Sequence, residues 1–242
     1  MTLNYVILGS DTNPLYLDFW PIVSKVWKEI VEIKPVLGLI CDEDSDFIEE
    51  EFGIIKKFKK IDGIDIGLQS QIVRFYLNKF LDGYSLISDI DMLPLSKTYF
   101  EGTCSRLDNE NLVVLSSDNP ECLRKEMYPM CYISSHTETY KKVFDLNLSW
   151  EDFCVLLNNR GETWYTDQKY LYEKVNEYHK NTNKVVFLKR GWNGTASRRI
   201  DRVNWFYNPE KVKKGFYVDS HLLRPYSEYK EDVDTLVNYL YQ

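Results

Sequence analysis

Apolar and polar positions change period along this chain. Leu3–Gly9, Val36–Cys41 and Ile54–Phe58 are short apolar runs, as strands buried on both faces would be. Between them, Tyr16–Ile33 and Leu68–Phe80 repeat apolar residues at helical spacing, for example Phe19, Val23, Val26, Trp27 and Ile30. Asp44–Glu51 is acidic and predicts a short helix, while Pro35 and Asp82-Gly83 mark helix stops. Strand and helix thus alternate through the first half. The prediction is an α/β fold with a doubly wound, mostly parallel central sheet flanked by helices.

The second half is less regular. Leu112–Leu115, Met130–Ile133 and Val185–Leu188 read as strands. Thr137–Leu146, Ser149–Asn158 and Thr166–Tyr178 read as helices, and Ser227–Tyr241 as a closing helix with Ser227 as its N-cap. Arg190–Arg202 reads as a basic loop. No repeat or linker interrupts the chain, which predicts one domain over residues 1–242: a first part, 1–95, and a second part, 96–242, with a C-terminal extension.

The stretch Ser85–Leu95, SLISDIDMLPL, carries the most chemistry. An apolar run through Tyr84, Leu86 and Ile87 ends in Asp89 and Asp91, with Pro94 turning the chain soon after. Strand alternation would place both carboxylates on one face. Two acids held together repel, and a hard divalent cation with oxygen ligands relieves that repulsion. The end of a central strand is where open α/β sheets gather ligands.

Composition narrows the options. The formal charge of −7 argues against a nucleic-acid protein. The five cysteines, Cys41, Cys104, Cys122, Cys131 and Cys154, show no metal-ligand or redox spacing. Cys41 and Cys131 lie in apolar runs and read as buried thiols, which favours a reducing compartment. The opening MTLNYVILGS has neither a basic region nor a long apolar segment, so it reads as a first strand and a cytoplasmic location is expected. No segment is long and apolar enough to span a bilayer. The sequons at Asn147 and Asn193 therefore read as coincidental.

Residues 67–95, GLQSQIVRFYLNKFLDGYSLISDIDMLPL, resemble the core of GT-A-fold, nucleotide-sugar-dependent glycosyltransferases. Ser70, Gln71 and Arg74 match the helix before the motif, and Asp89 and Asp91 match its Asp-x-Asp. Asp167-Gln168 resembles a helix start found in glycogenin-like members, and His221 in DSHLLRPY stands where many members place a third metal ligand. The chain is also similar to small glycosyltransferases of large viruses.

The resemblance implies transfer of a sugar from a nucleoside diphosphate, with UDP the expected nucleotide, to a hydroxyl of a glycan or glycoprotein. It implies Mn²⁺ or Mg²⁺ held by Asp89, Asp91 and His221, with Asp89 also touching the donor. A unit-charge pair at about 4 Å is worth about 4 kcal/mol at an effective dielectric near 20, so such an ion can supply several powers of ten in rate. Arg74 is a candidate for the donor's phosphates or sugar, against a plain surface arginine. Asp11 is a candidate for the uracil or ribose edge, against a turn-forming Asp in DTNP. Asp167 is a candidate acceptor-side group, against an ordinary first-turn acid.

Other polar features carry a functional and a structural reading each. Trp164 and Trp192 are candidates for sugar stacking, against core packing. Lys189, Arg190, Arg198, Arg199 and Arg202 are candidates for closing over a diphosphate, against a solvated basic loop, and Arg224 is a further phosphate candidate. His136 and His179 read as structural, and Asp65 as a helix cap. A haloacid-dehalogenase-type phosphatase would carry its acid pair after the first strand, and a polymerase-β-type transferase would place Gly9-Ser10 close to the acids; neither fits. A catalytically silent nucleotide-sugar-binding module is the remaining alternative.

Overall fold

The computed structural model describes residues 2–192 and 198–242. The described strands are β1 (Tyr5–Asp11), β2 (Lys34–Cys41), β3 (Phe47–Glu49), β4 (Ile54–Lys59), β5 (Tyr84–Ile87), β6 (Met92–Pro94), β7 (Leu112–Val114), β8 (Ile133–His136), β9 (Val185–Phe187), β10 (Arg198–Ile200) and β11 (Tyr217–His221). Eight of them form one sheet in the order β3-β4-β2-β1-β5-β8-β7-β9. Its centre, β4-β2-β1-β5, is parallel; β3 and β8 add antiparallel neighbours, and β9 pairs β7 in parallel. The sheet is thus mixed α/β with a parallel heart, flanked by helices.

Alternation along the central strands feeds two cores. Val6 and Leu8 of β1 pack with Phe19, Val23 and Trp27 on one face. Ile7, between them, packs with Ile72, Val73 and Phe75 on the other. Burial on both faces explains why these strands read as unbroken apolar runs. Two glycines fix how closely the Ile66–Tyr76 helix lies on the sheet. A Cβ on Gly9 would sit 2.2 Å from the Ser70 carbonyl oxygen, and one on Gly38 would sit 2.7 Å from Val73 Cγ2. The bare backbone therefore lets this helix set Ser70 and Arg74 against the tip of β1.

A smaller sheet, β10-β11-β6, completes the site. β11 runs antiparallel to β6, with His221 opposite Met92, and the Leu222 N–H donates to the Asp91 carbonyl at 3.0 Å. Strand pairing thus carries His221 to the acidic motif from 130 residues further along the chain.

Several sequence expectations are corrected. Asp44–Glu51 is not a helix: Phe47–Glu49 pairs with β4, and acids in and just before this strand meet lysines of β4 and β2, as in Lys57–Glu43 and Lys34–Glu49. The single helix over Tyr16–Ile33 is three pieces: Pro14–Leu17, then Trp20–Val26, restarted by Pro21, then Trp27–Val31, where the same helix widens into a π-turn. The strand expected at Met130–Ile133 is Ile133–His136. Its buried Ser134 and Ser135 disguise it, since Ser135 meets its polar demand by donating to the Asn111 carbonyl. The closing helix begins at Tyr226, with Pro225 and not Ser227 at its N-cap. Cys41 is only partly buried, whereas Cys131 is buried as expected. The basic loop contains the described strand Arg198–Ile200. The remainder of the expected loop, 193–197, including the Asn193 sequon, lies outside the described residues.

Candidate active site

The acidic motif sits on a turn rather than on a strand. β5 ends at Ile87, and the Met92 N–H closes the turn on the Asp89 carbonyl at 3.1 Å. Both acids nevertheless reach one cavity of about 400 Å³, lined among others by Ser10, Asp11, Tyr16, Gln71, Gln168 and Cys131. Arg74, Asp167, His221 and Arg224 also line it, so the sequence-chosen site residues converge.

On one wall, Arg74 is buried and joins two carboxylates. Its Nη1 donates to Asp89, and its Nη2 donates to Asp167 Oδ2 at 2.8 Å. Its Nε is held by the Gln71 carbonyl at 2.9 Å. Asp167 is almost wholly buried, with 2% exposure. Burial pushes its carboxyl up to about 6, with Asp89 adding to the rise and Arg74 opposing it. Its helical position supplies one more partner, the Gln168 N–H at 2.8 Å to Oδ1. Arg74 stays protonated: burial opposes its charge, but the two aspartates more than offset that. It is therefore not a plain surface arginine.

The other wall is built by the C-terminal segment. Asp91 pairs with Arg202, and its Oδ2 lies 3.6 Å from His221 Nε2 and 3.8 Å from Arg224 Nη1. Burial works against the Asp91 charge, yet His221 and Arg202 hold its carboxyl well below the usual carboxylate range. Asp201 Oδ2 lies 3.8 Å from the other ring nitrogen of His221, Nδ1. Behind them, buried Asp219 is clamped by Arg199, at 2.6 Å to Nε and 2.9 Å to Nη2, and accepts from the Tyr132 hydroxyl at 2.8 Å.

At the end nearest β1, Asp11 is the turn-forming residue its DTNP context predicts, and it also borders the cavity. It closes the turn by accepting from the Asn13 N–H at 2.9 Å. Arg224 donates to the Tyr16 hydroxyl at 2.7 Å and lies over that ring at 5.1 Å. A flat aromatic face beside a guanidinium suits a nucleobase and its phosphates. Asp65 caps its helix through the Leu68 N–H at 2.8 Å.

Not every candidate reaches the site. Trp192 is partly buried and packs against the core near Tyr99 and Arg106. His136 caps a helix by accepting from the Glu138 N–H, and His179 packs on Phe187, so both are structural. The backbone of Arg190 binds Asp118 away from the cavity. Tyr16, Asp201 and Asp219 were not singled out by sequence; their only signal was position beside residues that were.

A divalent ion would ask for oxygen and imidazole ligands at the acidic tip. Two donors about 2.1 Å from a shared octahedral ion lie about 3 Å apart, and Asp91 with His221 come near that separation. Asp89 is turned to Arg74, and among the described residues no three His, Cys, Asp or Glu groups are gathered into a metal cluster. The donor chemistry fits an ion; Asp89 would have to share itself between the ion and Arg74.

Comparison by sequence finds no matching family model and no matching curated protein. Among solved structures, the chain is similar to the galactosyltransferase LgtC in complex with donor and acceptor sugar analogues, with a TM-score of 0.53, 12% identity, and coverage of 97% of this chain and 94% of that one. It is also similar to a glycosyltransferase involved in glycosylation of the major capsid of PBCV-1, with a TM-score of 0.52, 15% identity, and coverage of 96% and 100%. No helix among the described residues is long and apolar enough to cross a membrane. With the parallel sheet and the site at its strand tips, the chain has a GT-A-like glycosyltransferase fold.

Proposed function

We propose that this chain is a glycosyltransferase that moves a sugar from a nucleoside-diphosphate sugar, UDP being the expected nucleotide, to a hydroxyl of a glycan acceptor. The observation that carries the reading is the meeting of two differently built walls in one cavity. Asp89, Arg74 and Asp167 form one, and Asp91, His221 and Arg224 form the other.

Asp11, Tyr16 and Arg224 are suited to hold the nucleoside end and its phosphates. Asp91, His221 and Asp89 would hold Mn²⁺ or Mg²⁺, and that ion, when bound, supplies positive charge against the leaving diphosphate. Arg74 fixes Asp89 toward the donor and Asp167 toward the acceptor side. Asp167, with its carboxyl raised to about 6, is ionised near neutral pH but only moderately acidic, which suits a proton acceptor. It takes the acceptor's hydroxyl proton in an inverting course, and faces the reacting carbon in a retaining one.

The test is donor hydrolysis and transfer over a panel of nucleotide sugars, with Mn²⁺ and with chelator, in the wild type and in Asp91→Asn. Metal-dependent turnover lost in the variant supports the reading. Equal signal under all conditions overturns it. Metal-dependent donor binding without turnover would instead support the silent binding module.

A further inference from the structure

A second cavity of about 430 Å³ adjoins the first and shares Gln71 and Trp164 with it. Its remaining wall includes Asp65, Asn158, Gly161 and Thr163. The 161–165 turn between the cavities has unusual backbone geometry. Gly161 has φ +67°, and Thr163, a β-branched residue, has φ +54°. Such left-handed conformations are costly for β-branched residues and cluster at functional sites. Trp164, next to Thr163, is 59% exposed and borders both cavities. Gln71, one turn before Arg74, donates to the Trp164 carbonyl at 3.3 Å and ties the turn to the helix that orders the site. A Cβ on Gly161 would meet nothing within 4 Å, so the outer rim is open.

Resting on the reading as a glycosyltransferase, we propose that this second cavity is an acceptor subsite for a neutral oligosaccharide. Its terminal sugar lies at Asp167, its next unit lies against Trp164, and the chain continues between Asn158 and Thr163. The chemistry selects this ligand class. An outward indole with amide and hydroxyl side chains beside it offers an apolar face and hydrogen bonds at once, as a sugar ring does. No Lys or Arg is among the described residues that line the cavity, and its one acid, Asp65, already caps a helix. An anionic ligand such as a phospholipid headgroup or nucleotide therefore finds no counter-charge there. Asp167 follows Trp164 by three residues, so an acceptor lying along the turn leads directly to it.

The experiment measures binding of gluco-, xylo-, manno- and chito-oligosaccharides of one to four units by saturation-transfer NMR. At least one series should bind about tenfold tighter at three units than at one, the worth of one good aromatic contact. Asn158→Trp, a change at an exposed helix end that fills the cavity, and Trp164→Ala should each cut that advantage to about twofold or less, with thermal unfolding confirming that both variants are folded. Donor hydrolysis without acceptor, followed on the wild-type preparation, reports the transferase reading separately. Hydrolysis with no gain in affinity along any series overturns the subsite alone. A length advantage that survives both substitutions also overturns it. Absence of both hydrolysis and transfer with every donor overturns the transferase reading, and the subsite with it.

Discussion

Asp89 and Asp91 are two residues apart, yet they live in different settings. Asp89 faces Arg74, which is buried, bound to the Gln71 carbonyl and shared with buried Asp167. Gln71, Arg74 and Asp167 stand on helices packed against the main sheet, and Asp89 stands on the turn that follows β5. Asp91 faces Arg202, His221 and Arg224, which arrive from the last part of the chain and keep between 14% and 36% of their side-chain surface exposed. The first arrangement is a fixed scaffold whose charges cannot separate without leaving one stranded in the interior. The second is a set of partners that water, an ion or a phosphate can replace. One short motif thus has an acid tied to buried partners and an acid whose partners lie nearer water, although the second is itself the more buried, at 9% against 37% side-chain exposure.

The strongest way to break this contrast is Arg74→Met. It strands Asp89 and buried Asp167 without their shared cation, and removing one partner of a buried pair costs about 3–5 kcal/mol. Denaturant unfolding should show that loss at unchanged m-value. The double variant Arg74→Met/Asp167→Asn should recover a large part of the stability but none of the turnover. If Arg74→Met is as stable as the wild type, the scaffold reading fails.

Asp91→Asn should behave in the opposite way. Metal-dependent turnover should fall by about 10²–10³, corresponding to several kcal/mol of charge stabilisation, while unfolding should lose less than in Arg74→Met: the buried Asp91 carboxylate gives up its contacts with His221 and Arg202, but those partners already keep 14–33% of their side chains exposed and regain water. Kinetics with Mn²⁺, together with calorimetry of Mn²⁺ binding, checks both halves. A large stability loss would place Asp91 in the scaffold too.

The same contrast explains what the sequence made legible. Arg74, Asp89 and Asp91 lie within eighteen residues, on a helix and a strand end with clear periodicity, so their proximity follows from local structure. Asp167 was marked by its helix start, but its burial and its bond to Arg74 come from packing between distant helices. His221 was placed by resemblance alone; what brings it to Asp91 is the register of β11 on β6, two short strands with no strong alternation. Arg202 was visible only as one charge in a basic run, and nothing local distinguishes it from Arg198, which is exposed. β8 was displaced by three residues because buried serines carry no apolar signal. Asp201 and Asp219 depend wholly on the smaller sheet.

A milder probe is pH. The Asp167 carboxyl titrates near 6 in the folded chain against an ordinary 3.8, so the folded state binds that proton more tightly than the unfolded one. Its contribution to stability is full below about pH 3.8 and is lost as pH rises through about 6. Asp91, held low, contributes in the opposite sense: its part is present above its ordinary range and is lost on acidification. If Asp167 acts as a base, kcat/KM should rise through a limb near pH 6. Asp167→Asn should abolish the activity that carries the limb, and weakening the Arg74 contact with Arg74→Lys should move the limb upward. A profile flat from pH 5 to 8 in the wild type would remove Asp167 from proton transfer.

The smallest expected effect concerns Arg202. Its guanidinium sits on the carboxylate that an ion would need, so the two compete for Asp91. The pair is mostly buried, with 14% and 9% of the two side chains exposed, so Arg202→Ala should cost some stability by leaving Asp91 one partner short, and should tighten Mn²⁺ binding to the donor-free protein by up to about fivefold. The same substitution on the scaffold side has no such benefit, because Arg74 is enclosed and its loss leaves a penalty instead of a vacancy for the ion. Titration calorimetry with Mn²⁺ on the wild type, Arg202→Ala and the control Arg198→Ala measures the difference. Arg198 is an exposed arginine four residues before Arg202, in strand β10, so its removal tests whether any gain is merely the loss of a nearby positive charge. Equal tightening in both variants would reduce Arg202 to a general field effect, and weaker Mn²⁺ binding in Arg202→Ala alone would make it a support of Asp91, erasing the distinction between the two acids.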